Sequence, residues 1–419
     1  MTKRQPFSTR FLYFVLFWCV FSFKVLLGAF GEAGIRVDDL LIVVAFVILV
    51  SNGDIVRIPR SAAFRAYLIF VLVNLCSAAW NGLAGRVAFV YSIIFVVRLL
   101  QYMVFYYLGY ALLQNRFQVW RSLRIYFYVL CLVVPLQMVN LLPTASSFDA
   151  SRASGNTNGP YELAAVSAFF LCYFGYRERK RLSAGLSIVL LILTASRSTL
   201  AGAVITVVMR TVSRSKTKLR AVTLVLLAML VLWGCILWIL SARNAGDNSM
   251  SLRSRLNSSS SLLSVDYQNL YATIPYYRTS EDYMSGMFLD TNTSAIEIEA
   301  DRSGILRALR WAVLVKSTVA HFDSIVIGLG PSFGSAAVDG YYVRVFSETG
   351  LAGMVAFILF LRALRKRQAE QSGAFREFVT ILIVTACFID IFASYKTMLL
   401  LWLWNGMNEW EWRHQNKCV

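Results

Sequence analysis

Five arginines, Arg152, Arg197, Arg302, Arg307 and Arg310, carry the most chemistry in this chain. Arg197 stands in Thr194-Ala195-Ser196-Arg197-Ser198-Thr199, in the middle of an apolar stretch from Ala184 to Met209. A guanidinium in hydrocarbon is costly, so such a residue marks a functional site by default. Arg307 and Arg310 are three apart in a segment, Gly304 to Phe322, that reads as helix, which puts both guanidiniums on one face. Converging arginines suit a diphosphate, because each planar fork can donate two charge-assisted hydrogen bonds to phosphate oxygens. The plainer alternative pairs each arginine with a nearby acid such as Asp290, Glu299 or Asp301. That alternative favours Arg302, which adjoins Asp301, far more than Arg197, which has no acid near it in sequence.

Three carboxylates, Glu162, Asp339 and Glu348, fall at the outer ends of apolar runs, where partial burial suits a proton acceptor. Ion pairing with nearby arginines is the equal alternative. The chain has two histidines, His321 and His414, so neither a histidine metal site nor a serine triad can be assembled. Of seven cysteines, Cys418 alone lies outside the apolar runs, and no CxxC pair or disulfide framework is visible. Tyr267, Tyr271, Tyr276, Tyr277 and Tyr283 could offer flat faces to a sugar, but clustered loop aromatics more often pack a loop onto its own scaffold.

The elements that must position these residues are membrane helices. With 58% hydrophobic residues and repeated apolar runs of roughly 20 residues separated by basic clusters, the chain reads as an all-α polytopic membrane protein. The net charge of +18 is topology and contact with anionic membrane lipids rather than nucleic-acid binding, since the basic residues cluster in short loops on one side. The first run, Phe11 to Phe30, is long and has no small-residue cleavage site, so it reads as an uncleaved span. Further spans fall near 39–51, 62–79, 87–113, 119–141, 161–176, 219–241, 341–361, 376–393 and 396–409.

Charge decides the stretch around Arg197. Arg177, Arg179, Lys180 and Arg181 precede it, and Arg210, Arg214, Lys216, Lys218 and Arg220 follow it. One helix joining the two clusters would break the positive-inside rule; two arms, 184–195 and 199–211, meeting at Ser196-Arg197-Ser198 obey it. Each arm has an apolar part of about 11 residues, or roughly 17 Å of helix, against a hydrocarbon core of about 30 Å. Either the arms continue into their basic flanks or the tip lies within the membrane. Counting both arms gives about twelve segments. The organisation expected is transmembrane segments over 1–241, a large external loop over 242–340 with a helix near 304–322, and C-terminal segments with a cytoplasmic tail over 341–419. A loop of that length is a functional element rather than a connector.

These residues, in this order, resemble the O-antigen polymerase and O-antigen ligase superfamily of Wzy and WaaL type. Three blocks carry the likeness: Arg152 with Asn156-Thr157-Asn158-Gly159-Pro160-Tyr161-Glu162; Thr194-Ala195-Ser196-Arg197-Ser198; and the series Arg307-Ala308-Leu309-Arg310-Trp311, Gly328-Leu329-Gly330, Asp339-Gly340-Tyr341-Tyr342 and Glu348-Thr349-Gly350-Leu351-Ala352-Gly353. The likeness covers about residues 150–355. Ligases carry a histidine-asparagine pair where this chain has Asp339-Gly340, and that histidine is the family's candidate base, so the departure favours a Wzy-type polymerase.

The resemblance implies a GT-C-like glycosyltransferase of the bacterial inner membrane with its active site facing the periplasm. It would transfer a growing glycan from undecaprenyl diphosphate to a hydroxyl of an incoming lipid-linked repeat unit. It implies no cofactor and no metal, with arginines in a metal's place, and a chain-length regulator as protein partner. On the positions matched here, Arg197, Arg307 and Asp339 would be catalytic, and Arg152, Arg310, Ser196, Tyr342 and Glu348 would bind substrate. The rivals are a ligase using lipid A core as acceptor, and a lipid-linked oligosaccharide flippase, which would also put arginines in a central cavity.

Overall fold

The computed structural model describes residues 7–22, 26–28, 35–143, 153–214, 272, 274–290, 302–334, 338–368 and 373–415. It is all-α apart from a short antiparallel ribbon pairing β1 (Leu26–Gly28) with β2 (Ile35–Arg36). In chain order the helices are α1 (Phe7–Phe21), α2 (Val37–Ser51), α3 (Asp54–Arg57), α4 (Ala62–Leu83), α5 (Phe89–Gln114), α6 (Val119–Met138), α7 (Pro160–Cys172), α8 (Arg181–Leu193) and α9 (Arg197–Arg214). They continue as α10 (Ser280–Asp290), α11 (Arg302–Val319), α12 (Phe322–Ile327), α13 (Tyr341–Gln368), α14 (Gly373–Thr385) and α15 (Tyr395–Gln415). Among the described residues, four stretches are long and apolar enough to cross a membrane: Ala62–Leu83, Phe89–Gln114, Val119–Met138 and Tyr341–Lys366. On α13 the apolar Leu351, Val355, Ile358 and Leu359 are exposed, the pattern of a helix that meets lipid rather than water.

Two compact units divide the chain: Met1–Leu75 with Ile93–Gly202 and Val355–Val419, and Cys76–Ser92 with Ala203–Met354. The first is organised on α15, whose residues from Tyr395 to Glu409 are all buried. Trp402 packs on the rings of Phe64, Tyr67, Tyr106 and Phe360, and Trp404 on those of Trp120, Phe169, Phe375 and Phe378. The second has a core of Val87, Ile274, Tyr283, Val313, Leu314, Leu329, Phe333 and Val338. Arg86 ties its edge together, with Nη2 2.6 Å from Asp323 Oδ2 and Nη1 donating to Asn81 Oδ1 and Ser324 Oγ. Burial pushes the Asp323 carboxyl up, but the hydrogen bond and charge of Arg86 outweigh it and hold the group below its usual range.

The first span was expected to reach Phe30, but α1 ends at Phe21, where side chains of other segments take up its last carbonyls, as described below. The stretch around Arg197 is two helices: α8 stops at Leu193, a turn follows with Ala195 at φ 51°, and α9 starts at Arg197. The arms run on into their basic flanks, from Arg181 and to Arg214. At about 1.5 Å per residue they reach roughly 20 and 27 Å. The expected helix near 304–322 is α11. The expected span 219–241 and most of the 242–301 loop, with Tyr267 and Tyr271, lie outside the described residues.

Candidate functional site

The second unit brings together the blocks of its own range. On α11, Arg307 and Trp311 are four apart and share a face, and both reach the segment just before α13. Arg307 Nε donates to Asp339 Oδ2 at 3.2 Å, and Trp311 Nε1 donates to the carbonyl of Val338 at 3.0 Å. Asp339 sits in the left-handed region at φ 58°, one of the few non-glycine types that tolerates it. A Cβ on Gly340 would lie 2.8 Å from the Trp311 ring, so any larger residue there would have to push the indole aside. The Arg307 and Asp339 side chains remain 39% and 34% exposed, within reach of a ligand.

A second, buried pair lies on α13. Arg344 Nε is 3.9 Å from Glu348 Oε1, and both side chains are 3% exposed. Glu348, expected at a substrate, is therefore an interior residue. Arg310 is half-buried. Burial pushes the Tyr283 hydroxyl up to about 12, against the opposing charges of Arg310 and Arg344. Tyr342 is half-buried in the first turn of α13.

The glycine-rich motifs shape α13. Gly350 has φ 63° and ψ −159° inside the helix, a kink that only glycine adopts without strain. The kink frees upstream carbonyls for other donors: Leu329 N–H donates to Ser347 O at 2.7 Å, and Gly330 N–H to Glu348 O at 3.0 Å. Ser77 Oγ on α4 lies 2.7 Å from Ile327 O and 2.8 Å from Glu348 O, and Asn81 Nδ2 donates to Gly328 O. Packing is so close that a Cβ on Gly328 would lie 2.3 Å from the Glu348 carbonyl carbon. The Gly-x-Gly loop and the Glu-x-Gly-x-x-Gly segment are thus two halves of one clasp that holds α13 at its kink.

In the first unit, Arg197 is exposed at the start of α9, and Ser196 is buried in the turn, its Oγ 3.1 Å from Thr199 Oγ1. Arg152 lies outside the described residues, and of Arg302 only the backbone is described. The segment after Arg152 forms a buried polar knot. Glu162 Oε1 accepts from Ser394 Oγ and from the Lys396 backbone N–H, both at 2.7 Å, while Oε2 accepts from the Asn158 N–H at 2.7 Å. Lys396 Nζ donates to the carbonyls of Val20, Ser22 and Asn156 at 3.1, 3.0 and 2.8 Å. Asn156 Nδ2 donates to Val20 O and Phe21 O, and its Oδ1 accepts from the Tyr126 hydroxyl. These donors cap α1.

No protein-family model and no curated protein matches the chain. The site is argued from its own geometry. Among the described residues no three or more His, Cys, Asp or Glu side chains cluster as metal ligands would. What the second unit presents is an accessible guanidinium held by one carboxylate, with more arginine charge behind it. Lys396 and Arg344 were missed from sequence, although each is a cation inside or beside an apolar run and the reasoning applied to Arg197 would have found both.

Proposed function

We propose that this protein is a polymerase of bacterial surface polysaccharide, O-antigen in type, working as a multi-pass protein of the inner membrane with its site toward the periplasm. The observation that supports this best is the Arg307–Asp339 pair: an accessible arginine-carboxylate contact through a single N–H, at 3.2 Å, on two segments that match the superfamily's blocks. An exposed pair of this kind is worth only about 0–1 kcal/mol, so an incoming diphosphate can replace the carboxylate at little cost.

In this reading Arg307 binds the diphosphate of the donor lipid with Arg310 assisting, and Arg197 and Arg152 are assigned to lipid diphosphate by the likeness of their own blocks alone. Once Arg307 has turned to phosphate, the Asp339 carboxylate takes the acceptor hydroxyl in its place. The acceptor hydroxyl oxygen attacks the anomeric carbon of the growing glycan and its proton passes to Asp339. The bond from that carbon to the diphosphate oxygen breaks, and undecaprenyl diphosphate leaves with the electron pair. Arginine donors aimed at that oxygen supply the electrostatic stabilisation that acyl- and phosphoryl-transfer sites obtain from oxyanion holes or cations. Tyr342 lines the acceptor side, and Glu348 supports Arg344 from within. Ser196 shapes the turn that presents Arg197.

The test is to supply the purified protein with a lipid-linked repeat unit alone. A ladder of lengthened lipid-linked glycans is expected. A protein that extends nothing until lipid A core is added is a ligase. One that only moves the lipid between leaflets is a transporter.

A further inference from the structure

We infer that Trp311 is the positioning residue for Asp339, an inference that rests on the function proposed above. Three observations converge. The indole N–H donates to Val338 O at 3.0 Å, which pins the peptide immediately before Asp339. The ring fills the space where a Cβ on residue 340 would stand, at 2.8 Å. Between these two contacts Asp339 is held at φ 58°, a conformation a free aspartate rarely keeps. Trp311 also lies one turn beyond Arg307 on α11, so one helix face supplies both the clamp on the backbone and the partner of the carboxylate.

The indole itself packs on the core of its unit, against the cluster that contains Val313, Leu314 and Val338. It is therefore a fixed wall against which the Val338-Asp339-Gly340 corner is set. Trp311 touches no reacting atom in this account; it acts by keeping the Asp339 carboxylate where Arg307 finds it and where an acceptor hydroxyl can meet it. Precision of this kind matters because a displacement of about 1 Å in a catalytic group can cost on the order of 100-fold in rate.

A double-mutant cycle separates positioning from general packing. Trp311→Phe keeps an aromatic wall and removes the N–H; turnover is expected to fall about 10-fold with the KM for acceptor lipid unchanged. In an Asp339→Asn background the same substitution is expected to change the residual rate by less than about 2-fold. Gly340→Ala, which retains the indole and pushes it from the corner, is expected to show the same dependence on Asp339 and serves if Trp311→Phe does not fold. Losses that multiply in the Asp339→Asn background, or a raised KM with unchanged turnover, overturn the role of Trp311 and leave the proposed function standing. A wild-type protein that does not lengthen the lipid-linked unit overturns the function and this role together.

Discussion

Two clusters of charged side chains, one in each compact unit, are built in opposite ways. Around Glu162 and Lys396 the carboxylate accepts three hydrogen bonds and the ammonium donates three, all between 2.7 and 3.1 Å, in the interior. Around Arg307 and Asp339 one N–H joins two side chains that are each more than a third exposed. Saturation fixes the first cluster, because every bond lost there would leave a buried polar group without a partner, at about 1–3 kcal/mol each. In the second, the contact between Arg307 and Asp339 is exposed and worth only about 0–1 kcal/mol, so Arg307 can exchange it for another anion at little cost. The difference teaches where to look for chemistry in this chain: the knot that ties α1 to α7 and α15 is scaffold, and the loose pair is where a ligand can enter.

The largest effect should come from the loose pair. Arg307→Ala is expected to lower turnover by about 100- to 1,000-fold, or roughly 2.7–4 kcal/mol, as loss of one oxyanion donor does elsewhere. Its thermal unfolding in detergent should match wild type. Arg307→Lys should restore little, since a point charge does not replace a fork. Next is the saturated knot: Lys396→Met should reduce stability by about 1–3 kcal/mol for each carbonyl it leaves without a donor, as at Asn156 O, while Val20 O keeps the Asn156 amide. A Lys396→Met protein as stable as wild type and slow in turnover would erase the contrast.

Gly350→Ala should cost about 1–3 kcal/mol locally, because it strains a residue at φ 63° and sets a Cβ 2.5 Å from the Val326 carbonyl. Hydrogen exchange reads this at the amides of Leu329 and Gly330, which should exchange faster while amides of α15 do not change. The smallest effect is pH-dependent. Asp323, held below its usual range against the pull of burial by Arg86, adds stability that is full above the unfolded carboxylate's pKa and is lost as pH falls through the depressed one. The pair is partly exposed, so Asp323→Asn should cost under about 1 kcal/mol at neutral pH, and the difference from wild type should vanish in acid.

Much of this arrangement could be read from sequence, and for physical reasons. The break at Arg197 between α8 and α9 follows from counting basic residues on either side of one apolar stretch, because membrane orientation depends on that count. The shared face of Arg307 and Arg310 follows from helical periodicity. The glycines at 328, 330 and 350 stood out only as motif blocks; that their turns clasp each other could not be read, since the contact joins separate segments of the chain. For the same reason the burial of Glu348 with Arg344 could not be read from spacing to a substrate, and the early end of α1 depends on Lys396, more than 370 positions away. Pairing of Arg307 with Asp339 was open as the plainer alternative for any loop arginine; the structure supplies the partner, 32 residues on.

The central claim is that Arg307 exchanges Asp339 for a lipid diphosphate. The most direct measurement is the affinity of the detergent-solubilised protein for undecaprenyl diphosphate, with undecaprenol as the uncharged control, in wild type, Arg307→Ala and Asp339→Asn. The account predicts opposite signs: weaker binding of the diphosphate by Arg307→Ala, tighter binding by Asp339→Asn because the competing carboxylate is gone, and no change for undecaprenol. Equal affinity in all three proteins, or a loss in both variants, would contradict it.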